Sequence, residues 1–103
     1  MSFFIIHPRE IEEKIKEKNA LIVDLRERSA YQKYHYRNAF HMPYQESEIW
    51  LEKFSRGRCY ILYCDYGNIS LLTARKLSKK GIEVYTVVGG AKGMYHYFYG
   101  KEL

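Results

Sequence analysis

Three apolar segments stand out from a chain that is otherwise mixed in polarity. They read ALIVD (20–24), CYILYC (59–64) and IEVYTVV (82–88). The first two are continuous runs rich in β-branched or aromatic residues, a pattern typical of strands covered on both faces, as in a parallel sheet. The third segment, which includes Glu83 and Thr86, predicts another strand.

Helical signals fill the stretches between these segments. In HPREIEEKIKEK (7–18), Pro8 suits a first turn, and Ile11 and Ile15 stack four residues apart. Further helices are predicted at RSAYQKYHY (28–36), ESEIWLEKF (46–54) and AKGMYHYFYG (91–100), with a short extended piece at NAFHMPY (38–44). Alternating strands and helices form parallel β-α-β units. We therefore expect an α/β fold, a small three-layer sandwich whose central, mainly parallel sheet is flanked by helices.

The helix after CYILYC is predicted to begin near Ile69 or Ser70 and to end before Gly81, which suits a C-terminal cap. Loops at the carboxyl ends of parallel strands share one edge of a sheet and form its ligand sites. The residues at or just after the predicted strand ends are Asp24, Cys64, Gly89 and Gly90. We expect these residues to lie near one another.

The composition, 47% apolar and 28% charged residues, fits one folded domain over residues 1–103. Cys59 and Cys64 lie an odd number of positions apart on one predicted strand, so their side chains should face opposite sides and form no internal disulfide. The four histidines have no metal-ligand spacing, and nothing pairs one of them with a cysteine. Neither a metal nor a cofactor is predicted.

The net charge of +5 does not by itself predict a nucleic-acid partner, because acidic residues are interleaved with the basic ones. The densest basic group falls late in a predicted helix, where cations favour the negative end of the dipole: Arg75, Lys76, Lys79 and Lys80. The opening MSFFIIHPREIEEK has too short an apolar run for a signal peptide, and no run approaches the length of a membrane span. The expected location is cytoplasmic, without a membrane partner.

The connection CDYGNIS places Cys64 between a buried strand and a helix. Gly67 and Asn68 readily take positive φ, which lets backbone N–H groups turn inward. Those groups and the helix N-terminus would stabilise a thiolate, and the Ser70 hydroxyl is expected to add a donor and cap the helix. Free cysteine is also a common buried and inert residue, so the loop alone leaves both interpretations open.

Three segments resemble, in order, the rhodanese homology family. LIVDLRERSAYQKYHYRNAFHMPY is similar to the family's Asp-x-Arg segment and the Gly-His-Ile-Pro-Gly-Ala motif that follows it. YILYCDYGNIS resembles the strand and active-site loop, and VYTVVGGAKGM resembles the closing Gly-Gly turn. The matching positions outside the loop are Asp24, Arg26, His35, Ala39, Pro43, Gly89 and Gly90.

The resemblance implies a sulfurtransferase that needs no cofactor or metal. Cys64 would take a sulfane sulfur from thiosulfate or from a persulfide and pass it to a nucleophilic acceptor, which could be a protein. Asp24 and Arg26 would form a structural ion pair near the site, beside the turn at Gly89 and Gly90. The resemblance assigns the anion-binding cup around the sulfur to Asp65, Tyr66, Gly67, Asn68, Ile69 and Ser70.

Several positions depart from the family pattern. Tyr34 and Asn38 replace the glycines near His35, Arg37 replaces a proline, and Met94 stands where tryptophan is common. Asp65 matters most for function, because a carboxylate beside the nucleophile opposes the thiolate and repels dianionic thiosulfate. We therefore expect weak turnover of thiosulfate and a persulfide as the preferred donor.

Two alternative functions remain. One is a catalytically weak or inactive rhodanese-like module that binds a partner, which Asp65 favours and the presence of Cys64 opposes. The other is a phosphatase or arsenate reductase on the same fold. That alternative ranks lowest, because phosphoryl transfer usually needs a guanidinium in the loop and CDYGNIS ends in Ser70 where related phosphatases have arginine.

Overall fold

The computed structural model describes residues 2–103 and contains a five-stranded sheet with strand order β1-β5-β4-β2-β3. All four pairings are parallel. This arrangement confirms the predicted α/β class and its parallel sheet. The strands are β1 (Phe4–Ile6), β2 (Leu21–Asp24), β3 (Phe40–His41), β4 (Cys59–Tyr63) and β5 (Glu83–Val87).

Helices cover both faces of the sheet. They are α1 (Ile11–Lys18), α2 (Arg28–Lys33), α3 (Ser47–Trp50), α4 (Asn68–Lys79) and α5 (Gly90–Tyr99). Ile11 of α1 and Met94 of α5 belong to the apolar cluster on one face. Trp50 of α3 and Leu77 of α4 belong to the cluster on the other face.

Strand β4 divides its side chains between these two clusters, since successive side chains of a strand point to opposite faces. Cys59, Ile61 and Tyr63 enter the cluster beneath α1 and α5. Leu62 and Cys64 enter the cluster beneath α3 and α4. The two cysteines are therefore free thiols on opposite faces, as predicted.

Strand β1 was not predicted, because it has only three residues and two of them, Phe4 and Ile5, are exposed on the edge of the sheet. Its position depends on pairing with β5, in which Phe4 lies opposite Tyr85. A contact so distant along the chain leaves no local signal. The extended piece predicted at 38–44 forms only the two residues of β3.

Two predicted helices are shorter than expected. Helix α2 ends at Lys33 because Tyr34 is extended, and the Tyr36 N–H then donates to the Tyr63 hydroxyl at 3.0 Å. The segment predicted as a helix over 46–54 is α-helical only at Ser47–Trp50, and short 3₁₀ turns flank it. A third 3₁₀ turn, Pro8–Glu10, precedes α1.

The ends of α4 are close to the predicted ones. The helix begins at Asn68, slightly before the predicted start, and beyond its end the Gly81 N–H donates to the Ser78 carbonyl at 3.0 Å. This contact fits the predicted cap, since it satisfies one of the carbonyls left free at a helix terminus. Within residues 2–103, no helix is long and apolar enough to cross a bilayer.

Candidate active site

Cys64 is the first residue after β4 and lies where that strand meets the N-terminus of α4. Its Sγ accepts hydrogen bonds from the backbone N–H of Gly67 at 3.2 Å and of Ser70 at 3.3 Å. The residue is only 3% exposed, so the loop and the neighbouring core cover most of the thiol. Two convergent N–H donors and the positive end of a helix dipole favour negative charge at this sulfur.

Gly67 makes the sharp turn that directs these donors. Gly67 is the N-cap of α4 and has a φ of +113°, a backbone conformation that residues with a Cβ rarely adopt. Asn68 was expected to share this conformation but instead is the first residue of the helix. Its side-chain oxygen accepts from the Ile69 N–H at 2.9 Å and lies 3.9 Å from the Cys64 Sγ.

The Ser70 hydroxyl has a different role from the predicted one. It donates to the Gly67 carbonyl at 3.1 Å, while its oxygen lies 3.7 Å from the Cys64 sulfur. The donor to the sulfur is therefore the backbone N–H of Ser70, whereas the hydroxyl oxygen accepts from the thiol and is not the predicted donor. The hydroxyl instead ties the first turn of α4 to the loop, which fixes the direction of both N–H donors.

Backbone N–H groups of helix α5 bind the loop that follows β4. The Ala91 N–H donates to the Cys64 carbonyl at 2.8 Å, and the Lys92 N–H donates to the Asp65 carbonyl at 3.1 Å. These bonds use N–H groups that a helix N-terminus leaves free. A Cβ at Gly90 would lie 2.5 Å from the Cys64 carbonyl oxygen, so this close approach requires glycine.

Asp24 and Arg26 form the expected ion pair, which is almost fully buried. The guanidinium donates from Nη2 to Asp24 Oδ2 at 2.8 Å and from Nε to Oδ1 at 3.1 Å. Burial opposes the charged form of Arg26, but hydrogen bonds to Asp24 and its charge leave the pKa of Arg26 raised above its ordinary value. Arg26 also donates to the Tyr34 carbonyl, which joins the β2 end to the segment after α2.

The Arg26 side chain also reaches the loop that follows β4, a contact that the sequence did not reveal. Its Nη1 lies 3.9 Å from Oδ1 of Asp65, whose side chain is 52% exposed. A buried guanidinium therefore offsets part of the charge that Asp65 places beside the thiol. Only the tertiary fold produces this contact, since it depends on β2 and β4 being neighbours.

The rest of the predicted cup is divided between rim and core. Tyr66 is 68% exposed, with the Lys92 Nζ 5.8 Å from its ring centre, and Ile69 packs against the apolar cluster beneath α3 and α4. Lys92 is a neighbour of the site that sequence reasoning missed. Its place after the Gly-Gly turn was the available signal, because that turn follows a strand whose end lies beside Cys64.

The histidines near the sheet edge contact other groups. His35 and His41 stack on the two sides of Tyr31, at centroid distances of 3.9 and 4.5 Å. Their hydrogen bonds go to the backbone carbonyls of Tyr31 and Arg26. Among residues 2–103, no hydrogen bond joins a histidine to Cys64, so the geometry does not form a Cys-His pair.

Together, the parallel sheet and the strand-to-helix loop define a class of α/β proteins that hold a thiol among backbone N–H donors. The family profile of the Rhodanese-like domain matches residues 7–96. The chain belongs to this family, as the sequence resemblance predicted. Asp24, Cys64 and the Gly89-Gly90 turn all lie within the matched region.

Named sulfurtransferases are among the relatives that share this sequence pattern. The chain is 30% identical over 79 residues to thiosulfate sulfurtransferase GlpE of Coxiella burnetii, and the alignment covers 76% of this chain and 74% of that protein. It is 34% identical over 80 residues to a tRNA sulfurtransferase of Pyrobaculum aerophilum, which covers 78% of this chain. That match spans only 16% of the archaeal protein, so the chain corresponds to a small part of it.

Solved structures share the fold over most of its length. A rhodanese-related protein of Thermoplasma volcanium superposes with a TM-score of 0.84 and 24% identity, covering 94% of this chain and 95% of that one. A rhodanese-like domain protein of Staphylococcus aureus gives a TM-score of 0.79 at 26% identity, with 89% and 91% coverage. The similarity extends well beyond the active-site loop.

Proposed function

We propose that the protein is a sulfurtransferase that carries a sulfane sulfur as a persulfide on Cys64. The observation that carries the proposal is the pair of backbone N–H groups, from Gly67 and Ser70, that converge on the Cys64 Sγ. Such donors stabilise an anionic sulfur before and after sulfur is loaded. The sulfurtransferase names of relatives at 30–34% identity support the same reaction class.

Loading begins when the Cys64 thiolate attacks the outer sulfur of the donor. A new S–S bond forms on Cys64 and the donor's own bond to that sulfur breaks. The leaving group is sulfite when thiosulfate is the donor and a thiolate when a persulfide is the donor. An acceptor thiolate or cyanide then attacks the terminal sulfur. The electron pair of the broken S–S bond returns to Cys64 Sγ, which restores the starting thiolate without a metal or cofactor.

Each neighbouring residue has a separate task in this proposal. Gly67 and Ser70 bind the sulfur anion through their N–H groups, and Asn68 borders it. Asp65 and Tyr66 form the rim over which donor and acceptor pass. The Asp24–Arg26 pair and the Gly89-Gly90 turn position the loop, so their contribution is to geometry rather than to chemistry.

The donor and acceptor are small sulfur compounds, with a protein acceptor as an additional candidate. The relative named thiosulfate sulfurtransferase supports thiosulfate as a donor, whereas Asp65 disfavours a dianion at the rim. The tRNA named for the archaeal relatives is not extended to this chain, because the chain matches only a small part of those proteins. We therefore propose no nucleic-acid partner.

A partner-binding module without turnover is the second candidate. Asp65 and the low exposure of Cys64 favour it, since both hinder access of an anionic donor to the sulfur. Hydrolysis of a phosphate ester has less support. The loop from Cys64 to Ser70 contains no arginine, and the nearby Arg26 guanidinium is already paired with Asp24 and faces Asp65.

Formation of thiocyanate from cyanide tests the proposal, with thiosulfate and glutathione persulfide as separate donors. We expect wild type and Cys59→Ala to form thiocyanate and Cys64→Ser to form none above background. Cys59 is a suitable control because burial, followed by the charge of Glu83, raises the pKa of its thiol to about 11 and keeps it protonated near neutral pH. Equal rates in wild type and Cys64→Ser would overturn the proposal.

A further inference from the structure

We propose that a cavity beside the Cys64 loop binds the amino-acid portion of the thiol that accepts sulfur from Cys64. We name it the α5 cavity; its volume is about 420 Å³, and its lining residues are Tyr66, Gly89, Lys92, Gly93, His96, Glu102 and Leu103. Cavities of about this size bind small molecules in other proteins. The inference rests on the proposed sulfur transfer and specifies the class of acceptor.

Residues that line the cavity belong to the Cys64 loop or are hydrogen-bonded to it. Tyr66 belongs to the active-site loop, and Lys92 donates its N–H to the carbonyl of Asp65, the residue directly after Cys64. On the other side, the Gly89 nitrogen lies 3.8 Å from where a Cβ at Gly67 would be. A ligand in the α5 cavity therefore lies beside the loop that holds Cys64.

The charges in the cavity point to a zwitterion. Lys92 contributes an ammonium group and Glu102 a carboxylate, and among residues 2–103 neither forms an ion pair. The contact of Lys92 is with the ring of Tyr66, which leaves its charge without an anionic partner. The ammonium of Lys92 and the carboxylate of Glu102 are complementary to the α-carboxylate and α-ammonium groups of an amino acid.

The acceptor would then be an α-amino-acid thiol such as L-cysteine. With its charged groups held by Lys92 and Glu102, its thiolate attacks the terminal sulfur of the Cys64 persulfide. A new S–S bond forms on the acceptor, the S–S bond on Cys64 breaks, and its electron pair returns to Sγ. The product is the persulfide of the acceptor, and the proton of the acceptor thiol passes to solvent.

The test compares three acceptors on protein whose Cys64 has been loaded with sulfur. L-Cysteine carries both charges, 3-mercaptopropionate only the carboxylate, and cysteamine only the ammonium. Rates of discharge are corrected for the thiolate fraction of each acceptor. We expect Lys92→Gln to slow L-cysteine and 3-mercaptopropionate about two- to fivefold and to spare cysteamine, since an exposed ion pair contributes up to about 1 kcal/mol.

Glu102→Gln should show the reciprocal pattern, slowing L-cysteine and cysteamine while sparing 3-mercaptopropionate. Discharge by cyanide is measured on each variant as a reference for the reactivity of the persulfide, and the rates with the three thiols are compared with it. Lys79→Gln, which removes an exposed lysine at the far end of α4, is the matched control for a change in net charge. Equal effects of each variant on all three acceptors would overturn the assignment.

A second measurement separates this inference from the proposed function. If Cys64 takes up no cyanide-labile sulfur, the proposed function fails, and the cavity is tested by titrating unloaded protein with S-methyl-L-cysteine while amide NMR shifts are followed. We expect saturable shifts at Tyr66, Lys92 and Glu102 that are reduced in Lys92→Gln. No saturable shifts at these residues would overturn the cavity assignment.

Discussion

Cys59 and Cys64 lie in different surroundings at the two ends of β4. Both thiols are buried near the two ends of β4. Cys59 lies among apolar groups near Glu83, and its pKa is raised to about 11, first by burial and then by that negative charge. Cys64 instead receives two N–H donors at the start of α4. The proposed difference between a packing thiol and a nucleophilic one therefore lies in the backbone around the sulfur.

Asp65 allows a direct test of rim electrostatics. Asp65→Ala should raise the rate of sulfur uptake from thiosulfate, because it removes a negative charge from the path of a dianion. We expect a gain of only about two- to fivefold, since Arg26 at 3.9 Å already offsets part of that charge and the side chain is exposed to solvent.

Asp65→Asn is the matched control for that experiment, because it removes the charge and keeps the size. Both variants should leave uptake from a less charged persulfide donor nearly unchanged. Single-turnover rates with the two donors measure the effect. A thiosulfate rate that does not rise in either variant would count against repulsion at the rim.

The Asp24–Arg26 pair predicts an effect on stability. Asp24→Asn removes the carboxylate that is hydrogen-bonded to a buried guanidinium and leaves it only the partly exposed Asp65 at 3.9 Å, so the free energy of unfolding should fall by about 3–5 kcal/mol. The comparison is Glu52→Gln, which breaks an exposed pair with Lys80 and should cost about 1 kcal/mol or less. Urea titration measures both; similar losses in the two variants would contradict the role of the buried pair.

The junction between α5 and the active-site loop links stability with activity. A methyl group at Gly90 would lie 2.5 Å from the Cys64 carbonyl oxygen, in a backbone conformation with φ of +60°. Gly90→Ala should therefore lower the free energy of unfolding by about 2–4 kcal/mol, combining a positive-φ cost with overpacking. It should also slow sulfur transfer, because the displaced loop no longer directs its N–H groups at the sulfur.

Gly57→Ala is the matched control, since the nearest atom to its added methyl group is the Ser55 hydroxyl oxygen at 3.6 Å. We expect its stability to stay within about 0.5 kcal/mol of wild type. Thermal unfolding and thiocyanate formation compare the two variants. If Gly90→Ala matched Gly57→Ala in both measurements, the proposed junction would be wrong.

Local signals predicted the buried strands and the longest helix, and failed where a neighbouring element decides the structure. Apolar runs predict strands β2, β4 and β5. The helical spacing of apolar residues, together with Gly81, predicts α4. Strand β1 depends on its pairing with β5. Helix α2 ends at Lys33, shortly before Tyr36, whose N–H donates to the hydroxyl of Tyr63 across the fold. Neither contact leaves a signal in adjacent residues.

Asn38 shows that a departure from the family pattern can preserve the backbone. It replaces a glycine of the resembling motif and has φ of +66°, a conformation that asparagine tolerates better than most residues. Met94 stands where tryptophan is common and is completely buried beside α1. These substitutions therefore fit the fold that the motif predicts.

The order of strands across the molecule explains why the candidate site has its composition. Strands β2, β4 and β5 are adjacent and parallel, so their carboxyl ends bring Asp24, Cys64, Gly89 and Gly90 to one edge. The sequence predicted this convergence from strand direction alone. It did not predict that Arg26 would contact Asp65 or that Lys92 would border a cavity, because side-chain reach across neighbouring loops depends on the assembled sheet.

Cys64 is expected to take up one sulfur atom from a donor and to release it to cyanide. Intact-protein mass spectrometry tests this expectation after separate incubation of wild type and Cys64→Ser with thiosulfate and with glutathione persulfide. Each sample is then divided and treated with or without cyanide. We predict that wild type alone gains the mass of one sulfur atom, and that cyanide removes it. No gain with either donor, or an equal gain in Cys64→Ser, would contradict the account.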